Sequence, residues 1–205
     1  CVTGVQTCAL PIYQEAWAHT KVLHKAHVVR PHQHGPTAQH ECEVCQVLDT
    51  HEHAFTQCVM AAPVWQGLLE WTHPVWKSEK ITTPAPSVAL CMLGLMQAST
   101  PTYPPRWWQL LQRITLRWIW APHAQRLYGD DMMYGDPSTM APHIQSGFEG
   151  GVKWGYAKAQ RQQVRTQHKS TTMRLSVKFK QRWGSMVQFD KEGKTMSLVL
   201  TTELG

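Results

Sequence analysis

Four side chains able to ligate a metal fall within seventeen residues, in the order Cys42-x2-Cys45-x7-His53-x4-Cys58. Thiolate and imidazole are the ligands zinc takes in closed tetrahedral sites, and three cysteines with one histidine leave no open position for a substrate. This constrains the fold strongly, because so short a segment cannot build a core of its own. The pair Cys42-Glu43-Val44-Cys45 predicts a tight turn that aims two sulfurs at one point. His53 and Cys58, with four residues between them, predict a turn running into a helix that returns both to the same ion. His51 is a competing ligand by a register shift, and the spacing to Cys58 favours His53. The alternative is a set of unpaired thiols in a reduced compartment. A lone CxxC is a weak signal against it, whereas a complete four-ligand series is not.

The residues around these ligands carry a resemblance. Cys42 to Cys58, continued by Val59-Met-Ala-Ala-Pro-Val-Trp65, is similar to the zinc-binding region that lies downstream of the polymerase in reverse transcriptases of non-LTR retrotransposons. The family pattern joins a CxxC pair, an acidic residue and Thr, a His with an aromatic two residues on, a Cys, a small residue and a Val-Trp opening a helix. Here those roles fall on Cys42, Cys45, Asp49, Thr50, His53, Phe55, Cys58, Ala61 and Val64-Trp65. Ile119-Trp120 and Arg126-Leu127-Tyr128 occupy places comparable to the family's second helix and its Arg-rich end. The likeness covers residues 28–128. It departs at Ala121-Pro122-His123, where the family has Asn beside Arg, and that departure argues against a continuous helix there. The resemblance implies zinc as cofactor, RNA or DNA as partner, an upstream polymerase domain of the same polyprotein, and a nuclear location.

Residues 2–12 resemble the in-frame translation of a sequencing-library adapter, so 1–12 are set aside from fold reasoning, Cys1 and Cys8 with them. On that reading the chain is the C-terminal piece of a longer protein. No apolar run approaches the roughly 20 residues of a membrane span. Clustered cysteines are also unlike a secreted disulfide framework, which spreads its pairs along the chain. Charge is asymmetric: residues 1–151 hold nine Lys+Arg against eleven Asp+Glu, and 152–205 hold eleven against three. Such a basic tail points to a polyanion, nucleic acid being the usual one, or to a solvated surface without a partner.

Periodicity predicts mostly helix. Ala16–Val28 is a short candidate, and Pro63 suits the first turn of a helix carrying Val64, Trp65, Leu68 and Leu69 to about Trp71. After a Thr82–Pro86 linker, Ser87 is placed to cap a buried helix over Val88–Gln97, with Cys91 as a core residue. Pro104-Pro105 opens the longest helix, about Arg106–Trp120, whose Trp107, Leu111, Ile114 and Trp118 share one face and read as core. Tyr128-Gly129-Asp130-Asp131 resembles the paired-aspartate signature of polymerases, but it lacks apolar strands on either side and reads as a helix end and loop. Gly147, Gly150 and Gly151 interrupt a stretch otherwise fit for helix. Beyond it, Lys153, Lys158, Arg161 and Arg165, with Trp154 and Tyr156 interleaved, form either a nucleic-acid-binding arm or a solvated helix. Leu175, Phe179 and Trp183 fit a helix stopped by Gly184, although alternation from Met173 to Phe179 fits a strand. Met186–Phe189 and Thr195–Leu200 predict a hairpin.

The expected fold is mainly α: a small helical module with a Cys3His zinc knuckle, a basic C-terminal helix and a short β-hairpin. The expected division is a zinc-binding region at 13–128, a linker at 129–151 and a basic extension at 152–205. The expected role is binding without catalysis, in an intracellular setting. A purely structural or protein-interaction zinc module is the alternative.

Overall fold

Proline and glycine placement sets the helix ends. The computed structural model describes residues 41–96, 104–128, 137–166, 174–189 and 195–199. Helix α1 (Ala62–Ser78) opens with Pro63 in its first turn, where the missing N–H costs nothing. Helix α2 (Arg106–Tyr128) follows Pro104-Pro105. Helix α3 (Pro137–Thr166) begins on a proline, and α4 (Arg174–Trp183) stops at Gly184, whose φ of 58° is left-handed. Strands β1 (Val187–Phe189) and β2 (Met196–Leu198) pair antiparallel, Val187 opposite Leu198. Among the described residues the fold is therefore mostly helical with one short antiparallel strand pair, and no helix is long and apolar enough to cross a membrane.

Tryptophan fills the space between α1 and α2. Trp65, Trp76, Trp107 and Trp108 are all fully buried. Trp76 meets Trp107 edge-on at 4.7 Å between ring centroids and Trp108 at 5.5 Å, while Trp65 lies 6.2 Å from Trp108. Each such ring removes 150–250 Å² from water, so truncating any one to alanine costs about 3–5 kcal/mol. Helix α3 lays Ile144, Phe148 and Val152 against this layer at i, i+4 and i+8. Phe148 then touches Trp71 and Trp183, which brings α4 onto the same core. Glu79, just past α1, pins the turn after α4: its Oε1 accepts from Trp107 Nε1 at 3.3 Å, Ser185 N at 3.4 Å and Ser185 Oγ at 3.1 Å.

Several elements differ from the sequence reading. Helix α1 passes Trp71 and Pro74 to reach Ser78. An interior proline costs about 3 kcal/mol, but Val75 and Trp76 beyond it are wholly buried, and their burial outweighs that cost. The same balance carries α2 through Pro122 to Tyr128, where a break near Trp120 was expected. The helix expected at Val88–Gln97 shortens to a π-helical turn, Ala89–Leu93, ended by Gly94 at φ 65°. Ser87 does cap it, its Oγ accepting from Leu90 N at 3.2 Å. Cys91 is core as expected: it is wholly buried, its carbonyl accepts from Gln112 Nε2 at 3.0 Å, and burial pushes its thiol up to about 12.

The linker expected at 129–151 is helical from Pro137 onward, so α3 runs through both the linker and the start of the expected extension. Two of its glycines sit where α3 crosses α2: a Cβ on Gly147 or Gly151 would meet Ile114 or Leu110 at 3.8 Å, an ordinary contact. Within the C-terminal region, α4 packs on α3 through Phe179 and Trp183 against Tyr156 and Phe148. At α4 the helix reading holds and the strand alternative fails, because Phe179 and Trp183 share one buried face. The expected helix at 16–28 and the hairpin turn at 190–193 lie outside the described residues.

Two glycine substitutions test this account in opposite directions. Gly150→Ala, with nothing within 4 Å of the added Cβ, is expected to raise stability by about 0.4–1 kcal/mol. Gly184→Ala places a Cβ at positive φ and against Glu79 Oε1, and is expected to lower stability by more than about 1–2 kcal/mol. Urea unfolding midpoints check both, and a neutral Gly184→Ala contradicts the account.

Candidate metal centre

The ligand-bearing loop is shaped by its own backbone bonds. Cys42 N donates to Val47 O at 2.7 Å and Gln46 N to Cys42 O at 2.8 Å, with Gln46 at a left-handed φ of 56°. Glu41 and Leu48 pair across the base of this turn. The loop thereby closes on itself and turns both sulfurs of the CxxC pair inward. Thr50 Oγ1 then accepts from His53 N at 3.0 Å, capping the start of the next turn as Ser and Thr do at helix N-termini.

His53–Gln57 is a π-helical turn, closed by Cys58 N donating to His53 O at 2.7 Å. That wider turn accounts for the x4 spacing. In an α-helix, residues five apart stand roughly 140° apart around the axis. The i to i+5 bond instead folds His53 and Cys58 together.

The ligand atoms of Cys42, Cys45, His53 and Cys58 lie within 4.8 Å of one another. Cys58 Sγ is 4.0 Å from Cys42 Sγ and 3.7 Å from Cys45 Sγ. A tetrahedral ion held through metal–sulfur bonds of about 2.3 Å has sulfur–sulfur edges of about 3.8 Å, so these separations fit one. They are far beyond the roughly 2.05 Å of a disulfide, and the thiols are free. Cys42, His53 and Cys58 are buried and Cys45 is half-buried.

One further observation points to an ion. His53 Nε2 is buried with no hydrogen-bond partner, a state that costs about 1–3 kcal/mol unless something else satisfies the nitrogen. Without a cation, burial pushes the Cys58 thiol up to about 12, against an opposing backbone hydrogen bond from Met60, with the Cys42 and Cys45 sulfurs adding to the rise. A bound cation reverses that preference and takes the thiolates. Val59 N donates to Cys45 Sγ at 3.5 Å, a contact that suits a charged sulfur. His51 is buried but stands outside this four-residue group, so the geometry selects His53.

The site is anchored to the helices by aromatic side chains. Trp65 Nε1 donates to Phe55 O at 2.8 Å, and Phe55 stacks on Trp120 at 5.7 Å. Beside them Asp49 Oδ2 lies 3.5 Å from His123 Nε2, both side chains buried. The sequence reading met His123 only as a departure from the family pattern and missed this pairing. Its position four residues after the buried Ile119, on the inner face of α2, was the available signal.

The residues proposed for nucleic acid lie elsewhere, on α3. Lys153, Lys158 and Arg161 are exposed. Lys153 pairs with Glu149 at 3.3 Å, and Lys158 Nζ sits 4.9 Å above the Trp154 ring. Arg161 Nε donates to Ala157 O at 3.3 Å. Arg165 follows in the last turns of α3, its side chain outside the described set. Lys158 and Arg161, at i and i+3, share one helical face. Tyr156 is not part of that face, since it is buried against Phe179 and Phe189. Tyr128 closes α2, and Gly129-Asp130-Asp131 lie outside the described residues.

No protein-family model, curated protein or solved structure matches this chain. Fold and site define its class: a mostly helical protein with a Cys3His group positioned to hold a metal ion. Cys58→Ser is expected to abolish metal retention and melt the 42–58 loop, whereas His51→Ala retains about one ion per chain. Native mass spectrometry reads both, and full occupancy of Cys58→Ser overturns the ligand assignment.

Proposed function

We propose that this chain is a zinc-binding, nucleic-acid-binding module from the C-terminal part of a retroelement reverse transcriptase, without catalysis of its own. One observation carries the reading. Residues that carry the family resemblance converge around a single site: the four ligands, Thr50 as cap, Phe55 on the distant Trp120, and Trp65 on the Phe55 carbonyl.

Zinc suits the donor set, since three thiolates and an imidazole match its soft tetrahedral preference and leave no position for substrate. The ion, when bound, supplies cross-linking free energy and no chemistry. The chain's own residues do the rest: the capped π-helical turn presents His53 and Cys58, and Trp65 and Phe55 transmit the clamp to α1 and α2. Lys158, Arg161 and Arg165 on α3 would meet phosphates, in a salt-dependent and largely sequence-independent manner. An upstream polymerase domain of the same polyprotein would do the synthesis, and the nucleus would be the site of action.

A second reading, a structural zinc module that packs on that upstream domain, is favoured by the tryptophans. Trp65 and Trp76 are wholly buried and Trp71 packs edge-on against Phe148, so none of these is presented for base stacking. Fluorescence anisotropy with a nonspecific RNA hairpin separates the two. The nucleic-acid reading requires binding at low salt with a steep log–log salt slope, which Lys158→Ala with Arg161→Ala reduces by about 1 for each cation removed. Absence of binding at low salt overturns it and leaves the structural module.

A further inference from the structure

Helices α2 and α3 cross in antiparallel register. Trp118 stacks on His143, Ile114 faces Gly147 and Leu110 faces Gly151, so residue numbers fall along α2 as they rise along α3. Between them the two helices carry eight lysines and arginines and one carboxylate, Glu149. At about 100° per residue, Glu149 stands roughly 160° around the axis from the face of α3 that meets α2. It is also paired with Lys153. The cations beside the crossing therefore have no opposing charge on either helix.

Their positions follow from the same geometry. On α2, Arg106, Arg113 and Arg117 fall within about 40° of one another, along the edge of the contact made by Leu110 and Ile114. Arg106 is exposed and Arg113 half-buried, and Arg113 Nε has no hydrogen-bond partner among the described residues. Arg117 is exposed but has an interaction of its own, so the row depends on the other two. On α3, Lys158 and Arg161 share the face that carries His143, Gly147 and Gly151, and lie just beyond the level at which α2 begins. Both are exposed, and their partners, the Trp154 ring and the Ala157 carbonyl, leave their charge in place. The crossing thus brings Arg106 to the end of the helix pair that carries Lys158 and Arg161.

Beside these cations α3 has glycine at 147, 150 and 151. Gly147 and Gly150 are exposed, and a Cβ on Gly150 would meet nothing within 4 Å. Without side chains there, an extended anion can come close to the helix backbone. At 1.5 Å per residue the track from Arg113 to Arg161 runs about 20 Å, a length over which one strand of a duplex presents about six phosphates.

Given the nucleic-acid role above, on which this inference rests, we propose that the phosphodiester backbone lies along this track. Arg106 and Arg113 of α2 hold it on one side, Lys158 and Arg161 of α3 on the other. Trp118 is already stacked on His143 and Trp154 lies against Lys158, so the track contacts phosphate and leaves the bases unread.

Fluorescence anisotropy of the full, zinc-loaded chain with a nonspecific RNA hairpin, taken over a salt series, tests this. Arg106→Gln with Arg113→Gln is expected to lower the log–log salt slope by about 2. Arg106→Lys with Arg113→Lys keeps the slope, because the charges remain. Lys178→Gln with Lys180→Gln removes two charges from α4 instead and leaves the slope unchanged. Arg106→Gln alone lowers it by about 1, and this exposed position keeps the test valid where loss of the half-buried Arg113 disturbs folding. Absence of binding by the unaltered chain overturns the nucleic-acid role itself. Binding whose slope ignores the α2 substitutions, or falls equally with the α4 pair, overturns the α2 track alone.

Discussion

Three cysteine sulfurs and a histidine nitrogen gathered within 4.8 Å of one another set the terms for residues 41–61, the described stretch before α1. Thiolates at that separation repel one another and are costly to desolvate, and a buried imidazole nitrogen without a partner adds to the cost. A single cation cancels all three penalties. In residues 41–61 Val44, Val47, Leu48 and Val59 face outward, which leaves Phe55 as the one large apolar side chain there that is fully buried. Cross-linking by an ion would therefore supply what burial cannot. Because the thiols must shed protons to bind it, affinity at this site rises with pH.

The described residues from α1 onward hold together by apolar burial, and the two regimes meet at a few side chains. Phe55 is wholly buried, stacks on Trp120 and gives its carbonyl to Trp65. The Asp49–His123 pair fastens the other side of the loop to α2. Ordering of the ligand loop and packing of α1 on α2 are thus coupled. At the far end Glu79 performs a comparable task for the C-terminal region, joining α1, Trp107 and the turn after α4 through one carboxylate oxygen.

How much of this was legible in the sequence depends on the range of the interaction. The ligand set was readable because CxxC and the x4 spacing are local, and the turns that serve them are closed by bonds between near neighbours. Ser87 as a cap, Gly184 as a stop and the hairpin strands were readable for the same reason. The lengths of α1, α2 and α3 were not. Pro74, Pro122 and the glycines of α3 are local signals to stop, and they are overridden by burial of Trp76, His123 and Phe148 against partners distant in sequence. Charge changes near residue 152, but the α3 face carrying Ile144, Phe148 and Val152 crosses that point without interruption. Charge composition reports on surface, and the core was laid out without regard to it.

The claim on which the account rests is that Cys42, Cys45, His53 and Cys58 jointly bind one ion. X-ray absorption at the metal edge of the zinc-loaded chain tests it most directly. The account predicts a four-coordinate shell of three sulfurs at about 2.3 Å and one nitrogen at about 2.0 Å. A shell of nitrogen and oxygen alone, or one of higher coordination number, would contradict it.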